Sequence, residues 1–272
     1  MKLTVGLAQI DCKLGNIKKN LEKHISFIRE ARKNNAELVV FPELSLSGYF
    51  LKELVSEVGL KRDSEEINFL KKETIAGPDL VFGFVEECDS KYYNTSLYIS
   101  KGEVSGYHRK IFLPNYGMFD EMRDFSKGNE LSLINTAFGK VGIEICEDTW
   151  HPIITETMVR YGAKILIFLQ ASPSRFNKDG NISMSKDYLI CKFYSMIYGV
   201  YILMVNRVGY ENGINFWGGS AVFKPGGEIL CKGSQFNEEL VIEKIDLEMI
   251  RYARLGFPLL RDQDSDVLFG KI

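Results

Sequence analysis

Three residues of this chain carry chemistry that their apolar surroundings do not need. FPELSLSGY places Glu43 just after the buried run Leu38-Val39-Val40-Phe41. YHRKIFLPNYG sets Lys110 in an apolar and aromatic stretch, and GIEICEDTW puts Cys146 between Glu144 and Glu147. Negative neighbours raise a thiol's pKa, so Cys146 by itself is a poor thiolate. A lysine ammonium nearby would offset the carboxylates. A glutamate near both could take the thiol proton and return it to a leaving nitrogen. That is nucleophilic catalysis on an acyl group, with Glu rather than His as the base. Singly, each residue has a simpler reading: Glu43 as the cap of a helix starting near Ser45, Lys110 as a solvated lysine beside Arg109, and Cys146 as a small buried apolar residue. Together they favour chemistry.

Elements of two kinds must hold these residues. Leu3–Ala8 reads as a strand, Ile17, Leu21, Ile25, Ile28 and Ala31 recur at helical spacing, and Glu37–Phe41 reads as a second buried strand. Helical patterns follow around Leu51–Val58 and Glu65–Thr74, then strands at Asp79–Val85, Ser96–Ser100 and Glu103–His108. Lys140–Ile145 is a strand that runs into Cys146. A helix is expected from His151-Pro152, capped by Asp148 or Thr149. Strand Lys164–Leu169, helix Ser183–Tyr198 and strand Tyr201–Val205 come next, and the tail adds strands at Gly219–Phe223, Glu228–Leu230 and Leu240–Lys244. The 115–129 loop is long and aromatic, as functional loops are. The pattern is that of one layered α/β domain, with reacting groups at strand ends.

Composition narrows the function. The 272 residues are 45% hydrophobic and 26% charged, with a net charge of −2. No basic excess invites nucleic acid or an anionic membrane. MKLTVGLAQI lacks the features of a signal peptide, and no apolar run approaches the roughly 18 residues of a membrane span, so a cytoplasmic protein is expected. Five scattered cysteines without a C-x-x-C pair argue against a disulfide framework and a zinc site. No metal or cofactor is expected; Gln9-Ile10-Asp11 follows the first strand where a nucleotide-binding fold has its glycine-rich turn.

F-P-E-x-x-x-x-G-Y, Y-H-R-K-x-x-L-P and G-x-x-I-C-E-D-x-W, in that order, resemble the nitrilase (carbon-nitrogen hydrolase) superfamily. The resemblance spans nearly the whole chain, with a C-terminal extension from about residue 246. It implies a four-layer α-β-β-α sandwich and a Glu43–Lys110–Cys146 triad. In it, Glu43 is the general base, Cys146 the nucleophile, and Lys110 with the N–H of Glu147 the oxyanion donors. Glu121 matches a second, supporting glutamate.

LPNYGMFDEMRDFSKG, QASPSRF and AQIDCKLGNIKKN look closest to the glutaminase domain of glutamine-dependent NAD synthetase. That resemblance implies substrate contacts from Tyr49, Tyr116, Glu147, Trp150, Ser172 and Arg175, and a homodimer or higher homo-oligomer. The S-G-G-x-D-S-type loop of the synthetase domain is not found: Gly218-Gly219-Ser220 runs into Ala221-Val222. The expectation is an amidase that releases ammonia from a small amide, with glutamine as a candidate substrate. The alternatives are an ammonia-supplying subunit for a separate synthetase, an N-carbamoyl amine hydrolase, and a catalytically silent binding subunit. Nitriles as substrates, and acyl transfer in place of hydrolysis, stay open. A Cys-His hydrolase using His24, His108 or His151 is disfavoured: His24 reads as a surface or interface residue, His108 as a neighbour of the site, and His151 as a helix start.

Overall fold

The structure, a computed structural model, describes residues 1–174 and 185–263. β1 (Lys2–Gln9) leads into α1 (Ile17–Lys33) and β2 (Leu38–Val40). A 3-10 turn (Lys52–Leu54), α2 (Val55–Val58) and α3 (Glu65–Glu73) precede the meander β3 (Asp79–Cys88), β4 (Lys91–Ser100) and β5 (Glu103–Arg109). The short α4 (Glu121–Asp124) interrupts the long loop, and β6 (Leu133–Thr136) then pairs with β7 (Gly139–Ile145). A 3-10 turn (Cys146–Trp150), α5 (Pro152–Arg160), β8 (Ala163–Gln170), α6 (Ser185–Tyr198) and β9 (Tyr201–Asn206) follow. The hairpin of β10 (Val208–Glu211) and β11 (Ile214–Trp217) precedes β12 (Ala221–Phe223), β13 (Ile229–Lys232) and β14 (Glu239–Asp246). Helices α7 (Glu248–Gly256) and α8 (Leu259–Asp262) come last. Residues 264–272 of the expected C-terminal extension lie outside the described residues.

Two six-stranded sheets, ordered β14-β1-β2-β3-β4-β5 and β13-β12-β9-β8-β7-β6, form the centre. Strand alternation builds the layers, because successive side chains point to opposite faces. Leu3, Val5 and Leu7 of the first sheet meet Val141, Ile143, Ile165 and Leu203 of the second. The other face of the first sheet, with Val39 and Phe82, packs on Ile28 and Ala31 of α1 and Ile67 and Leu70 of α3. Leu166, Phe168 and Met204 pack outward on Ile154 and Met158 of α5 and Cys191 and Tyr194 of α6. The result is the expected α-β-β-α sandwich. Parallel neighbours β1-β2-β3 and β7-β8-β9 bring strand C-termini together in each sheet. Glu43 follows β2 and Cys146 follows β7.

The buried face of α1 differs from the expected apolar stripe. Asn20, His24, Ile28 and Ala31 are buried, whereas Ile17, Leu21 and Ile25 are only partly so. The reason is the turn after β2, which needs polar partners. Asn20 donates to the Leu46 carbonyl at 2.9 Å, and His24 Nε2 lies 2.9 Å from Ser45 Oγ. His24, expected at the surface, is instead stacked on Phe41 with ring centres 4.1 Å apart. Burial lowers its pKa to about 4, so it sits there neutral. Among the described residues no helix is long and apolar enough to cross a membrane.

Candidate active site

Glu43 caps no helix. It lies in the turn after β2, where Leu44 takes a left-handed backbone (φ 47°). Gly83 of β3 makes this approach possible: a Cβ there would fall 2.3 Å from the Leu44 nitrogen. The Glu43 carboxylate is fully buried; its Oε1 accepts from Lys110 Nζ and Asn94 Nδ2, each at 2.7 Å. Its Oε2 has no partner in the protein.

Lys110 is not solvated. It follows β5 and is wholly buried, donating also to Glu121 Oε1 at 2.7 Å. The same Glu121 oxygen accepts from the Tyr49 hydroxyl. Burial works against the Lys110 charge, yet Glu121 and Glu43 outweigh it and hold the ammonium well above its ordinary pKa. Burial likewise pushes Glu121 up to about 7, with Lys110 opposing and Glu43 adding to the rise.

Cys146 begins the tight turn after β7 with φ 46°, a backbone that side chains adopt only under local strain. Burial, then Glu43, push its thiol well above the ordinary value; Lys110 lowers it, and Glu121 and Asp187 raise it again. Lys110 therefore offsets the carboxylates only in part, and the resting group is a thiol. The carboxylates that act on it are not its sequence neighbours. Glu144 points into the helix layer, accepts from Thr155 at 3.0 Å, and is kept protonated by burial. Glu147 points to the cavity and accepts from the Tyr116 hydroxyl at 2.7 Å.

Asp148 also departs from expectation. It does not cap α5, which starts after His151 with no side-chain cap. The buried Asp148 carboxylate instead ties the Lys110 and Cys146 segments together. It accepts the N–H groups of Ile111 (3.1 Å), Phe112 (2.9 Å) and Ile145 (3.2 Å), and His108 Nε2 lies 2.9 Å from it. His151 is stacked on Phe112 with ring centres 3.4 Å apart.

A cavity of about 170 Å³ opens on Cys146, small against the several hundred Å³ of drug-sized sites. Tyr116, Glu147, Trp150 and Ser172, all expected at the substrate, line it. Tyr49 does not; it lies behind Phe119, with its hydroxyl on Glu121. Arg175 lies outside the described residues. Among the described residues no group of three or more His, Cys, Asp or Glu side chains is arranged to hold a metal ion.

The family profile for carbon-nitrogen hydrolase matches residues 4–255. The chain belongs to that family. It is 35% identical over 249 residues to a glutamine-dependent NAD(+) synthetase of Thermotoga maritima, covering 91% of this chain and 42% of that protein. It thus spans less than half the length of the NAD(+) synthetases it matches. A probable nitrilase of Schizosaccharomyces pombe is 26% identical, over 94% of this chain and 93% of its own length. Among solved structures, a carbon-nitrogen hydrolase from Helicobacter pylori superposes over the full length of both chains with a TM-score of 0.85 at 27% identity.

Sequence reasoning missed several groups at this carbon-nitrogen hydrolase site. Asn94, on Glu43, comes from a strand whose register no local pattern fixes. Gln170 and Asp187 line the cavity; Gln170 ends β8 as Cys146 follows β7, a strand-end signal that could have flagged it. Asp187 accepts from Ser172 Oγ at 2.8 Å, a pairing across 15 residues that only the fold reveals.

Proposed function

We propose that this carbon-nitrogen hydrolase cleaves a small-molecule amide through a Cys146 thioester and releases ammonia. The observation that carries the reading is the buried Lys110 ammonium held between Glu43 and Glu121, with one Glu43 oxygen left unpartnered and the Glu43 charge acting on the thiol. As Cys146 Sγ attacks the carbonyl carbon, Glu43 takes the thiol proton, which compensates for a thiol whose pKa is raised. The ammonium of Lys110 and the N–H of Glu147 stabilise the oxyanion, donors worth roughly a hundred- to a thousandfold each in rate. The C–N bond then breaks, the nitrogen receives the proton from Glu43, and ammonia leaves. Water attacks the thioester, Glu43 takes its proton, and the acid departs as the thiol is restored.

The cavity lining supports an amino-acid amide. Glu147 and Asp187 suit an ammonium, Lys186 a carboxylate, and Tyr116 and Trp150 an aliphatic stem. Similarity to NAD(+) synthetases favours glutamine, and with it a second reading: a glutaminase that supplies ammonia to a synthetase. We further propose a homo-oligomer, since α5 and α6 expose Ile153, Leu189, Phe193 and Met196; light scattering would test it.

The function test is ammonia release from L-glutamine and from a panel of ω-amides, carbamoyl amines and simple aliphatic amides, with Cys146→Ala as the blank. Cys146-dependent glutamine turnover supports the glutaminase reading. Turnover of another amide keeps the thioester route and removes glutamine. Turnover that survives Cys146→Ala overturns the proposal.

A further inference from the structure

The β10–β11 hairpin contributes no group to the Lys110 cluster, yet one of its carboxylates reaches the chain just after Glu43. Glu211 is buried at the end of β10. Its Oε2 accepts two consecutive N–H groups, of Tyr49 at 2.9 Å and Phe50 at 3.0 Å. Its Oε1 accepts from Arg207. Arg207 is fully buried in turn: it donates to the Cys12 carbonyl at 3.1 Å, lies 3.8 Å from Asp11, and stacks 4.3 Å from the centre of the Phe216 ring. Gly48 admits this carboxylate, since a Cβ there would lie 2.7 Å from Glu211 Oε1.

A buried ion pair is a poor way to gain stability, because desolvation offsets most of the attraction. This one has a directional consequence. The segment after Glu43 belongs to no strand; Leu46 N–H reaches the Gly83 carbonyl of β3, and Glu211 supplies acceptors for the amides of Tyr49 and Phe50. The Tyr49 ring is then packed edge-on against Phe50, Phe119 and Phe216. Its hydroxyl meets the Glu121 oxygen that also receives Lys110.

We propose that Glu211, held by Arg207, is a positioning residue that sets the Tyr49 hydroxyl on Glu121 and so fixes Glu121 against Lys110. The proposal rests on the hydrolytic reading above. Its signature is a pH effect. Glu121 faces Lys110, Glu43, Tyr49 and Cys146, with Asp120, Arg123 and Asp124 adjacent in its own segment. Burial raises Glu121 most and Tyr49's hydrogen bond lowers it. Loss of that bond moves Glu121 higher, so the acid side of the pH profile moves to higher pH.

The test compares Glu211→Gln, Tyr49→Phe and the double variant by kcat and KM against pH. It also measures the rate at which iodoacetamide alkylates Cys146 against pH, read on the Cys146 peptide by mass, which needs no substrate. Glu211→Gln should lower kcat about tenfold, as expected for a small misplacement within a site. It should leave KM within about twofold and shift the acid side of both profiles upward, as Tyr49→Phe does. The double variant should lose little more, because the two residues act through one contact. If Glu211→Gln leaves both profiles in place, or if its loss multiplies independently with that of Tyr49→Phe, Glu211 only holds the hairpin. Should Glu211→Gln fail to fold, Glu211→Gln with Arg207→Met removes both charges and carries the same comparison. If the wild type turns over no amide, the functional reading fails, while the alkylation profiles still decide the role of Glu211.

Discussion

Behind Cys146 and in front of it, polar groups are organised in opposite ways. Behind it, Glu43, Lys110, Glu121 and Tyr49 are buried and bonded to one another. In front, Tyr116, Glu147, Trp150 and Ser172 line an open cavity; Tyr116 and Trp150 are largely exposed. Of the rear groups, Glu43 and Lys110 follow strand ends, Tyr49 stands on a turn held by the buried Glu211 carboxylate, and Glu121 begins α4 within the long loop. The front groups stand on the long loop, a 3-10 turn and the segment after β8. Low dielectric strengthens the rear electrostatics and makes each loss costly. The front can change its partners at little expense to the fold. On the proposed reading, chemistry belongs to the buried half and recognition to the open half.

The sharpest way to break the contrast is Lys110→Met. It leaves Glu43 and Glu121 buried without their shared cation, so turnover should fall at least roughly a hundredfold. Stability should drop by about 3–5 kcal/mol, the usual penalty for removing one partner of a buried charge pair. Steady-state rates and a denaturant titration check both, and wild-type values in either would remove Lys110 from the account.

Glu121→Gln should act next. With Glu121 ionised, its charge makes Glu43 a stronger base; protonation near pH 7, where burial places it, weakens that base. Wild-type kcat/KM should therefore fall below about pH 7, and the variant should lose that limb. A limb that persists unchanged belongs to another group.

At the front, Trp150→Ala should raise KM by roughly tenfold and leave kcat nearly untouched, the mark of uniform binding. A large fall in kcat instead would place Trp150 in the rear half.

The smallest effect concerns Glu144, buried on the far side of the same strand. Its folded pKa lies well above the ordinary 4.5. Above that ordinary value the unfolded chain ionises while the folded one holds its proton. Stability is therefore full below it and falls as pH rises toward the folded pKa. Glu144→Gln should flatten this dependence between about pH 5 and 8, the span in which proteins are usually most stable. Parallel melting curves for the two proteins would contradict a neutral buried Glu144.

Much of the rear half could be read from local patterns. Apolar runs ahead of Glu43 and Cys146, and the apolar and aromatic stretch around Lys110, marked strand ends and a layered α/β domain, whereas the α-β-β-α order of layers came from the family resemblance. What could not be read were partners set by register and crossing. Asn94 reaches Glu43 because β4 pairs with β3. Asp148 looks like a helix cap in sequence and becomes a tie between two loops only when β5 of one sheet meets β7 of the other across the sandwich. β6, the β10–β11 hairpin and α7 carried weak signals, since short edge strands and a surface helix bury few residues. The stripe on α1 was displaced because the turn after β2 needs Asn20 and His24. The thiol among carboxylates raised the right question, but its answer lies in Glu43, Glu121 and Asp187 rather than in Glu144 and Glu147.

The central claim is that Cys146 carries the acyl group. The direct measurement is intact mass after acid quenching, within the first turnovers of whichever amide the wild type hydrolyses, followed by peptide mapping. The account predicts a mass gain equal to the acyl group on the Cys146 peptide, appearing before free acid and absent in Cys146→Ala. Steady ammonia release with no acyl adduct, undiminished in Cys146→Ala, would contradict it.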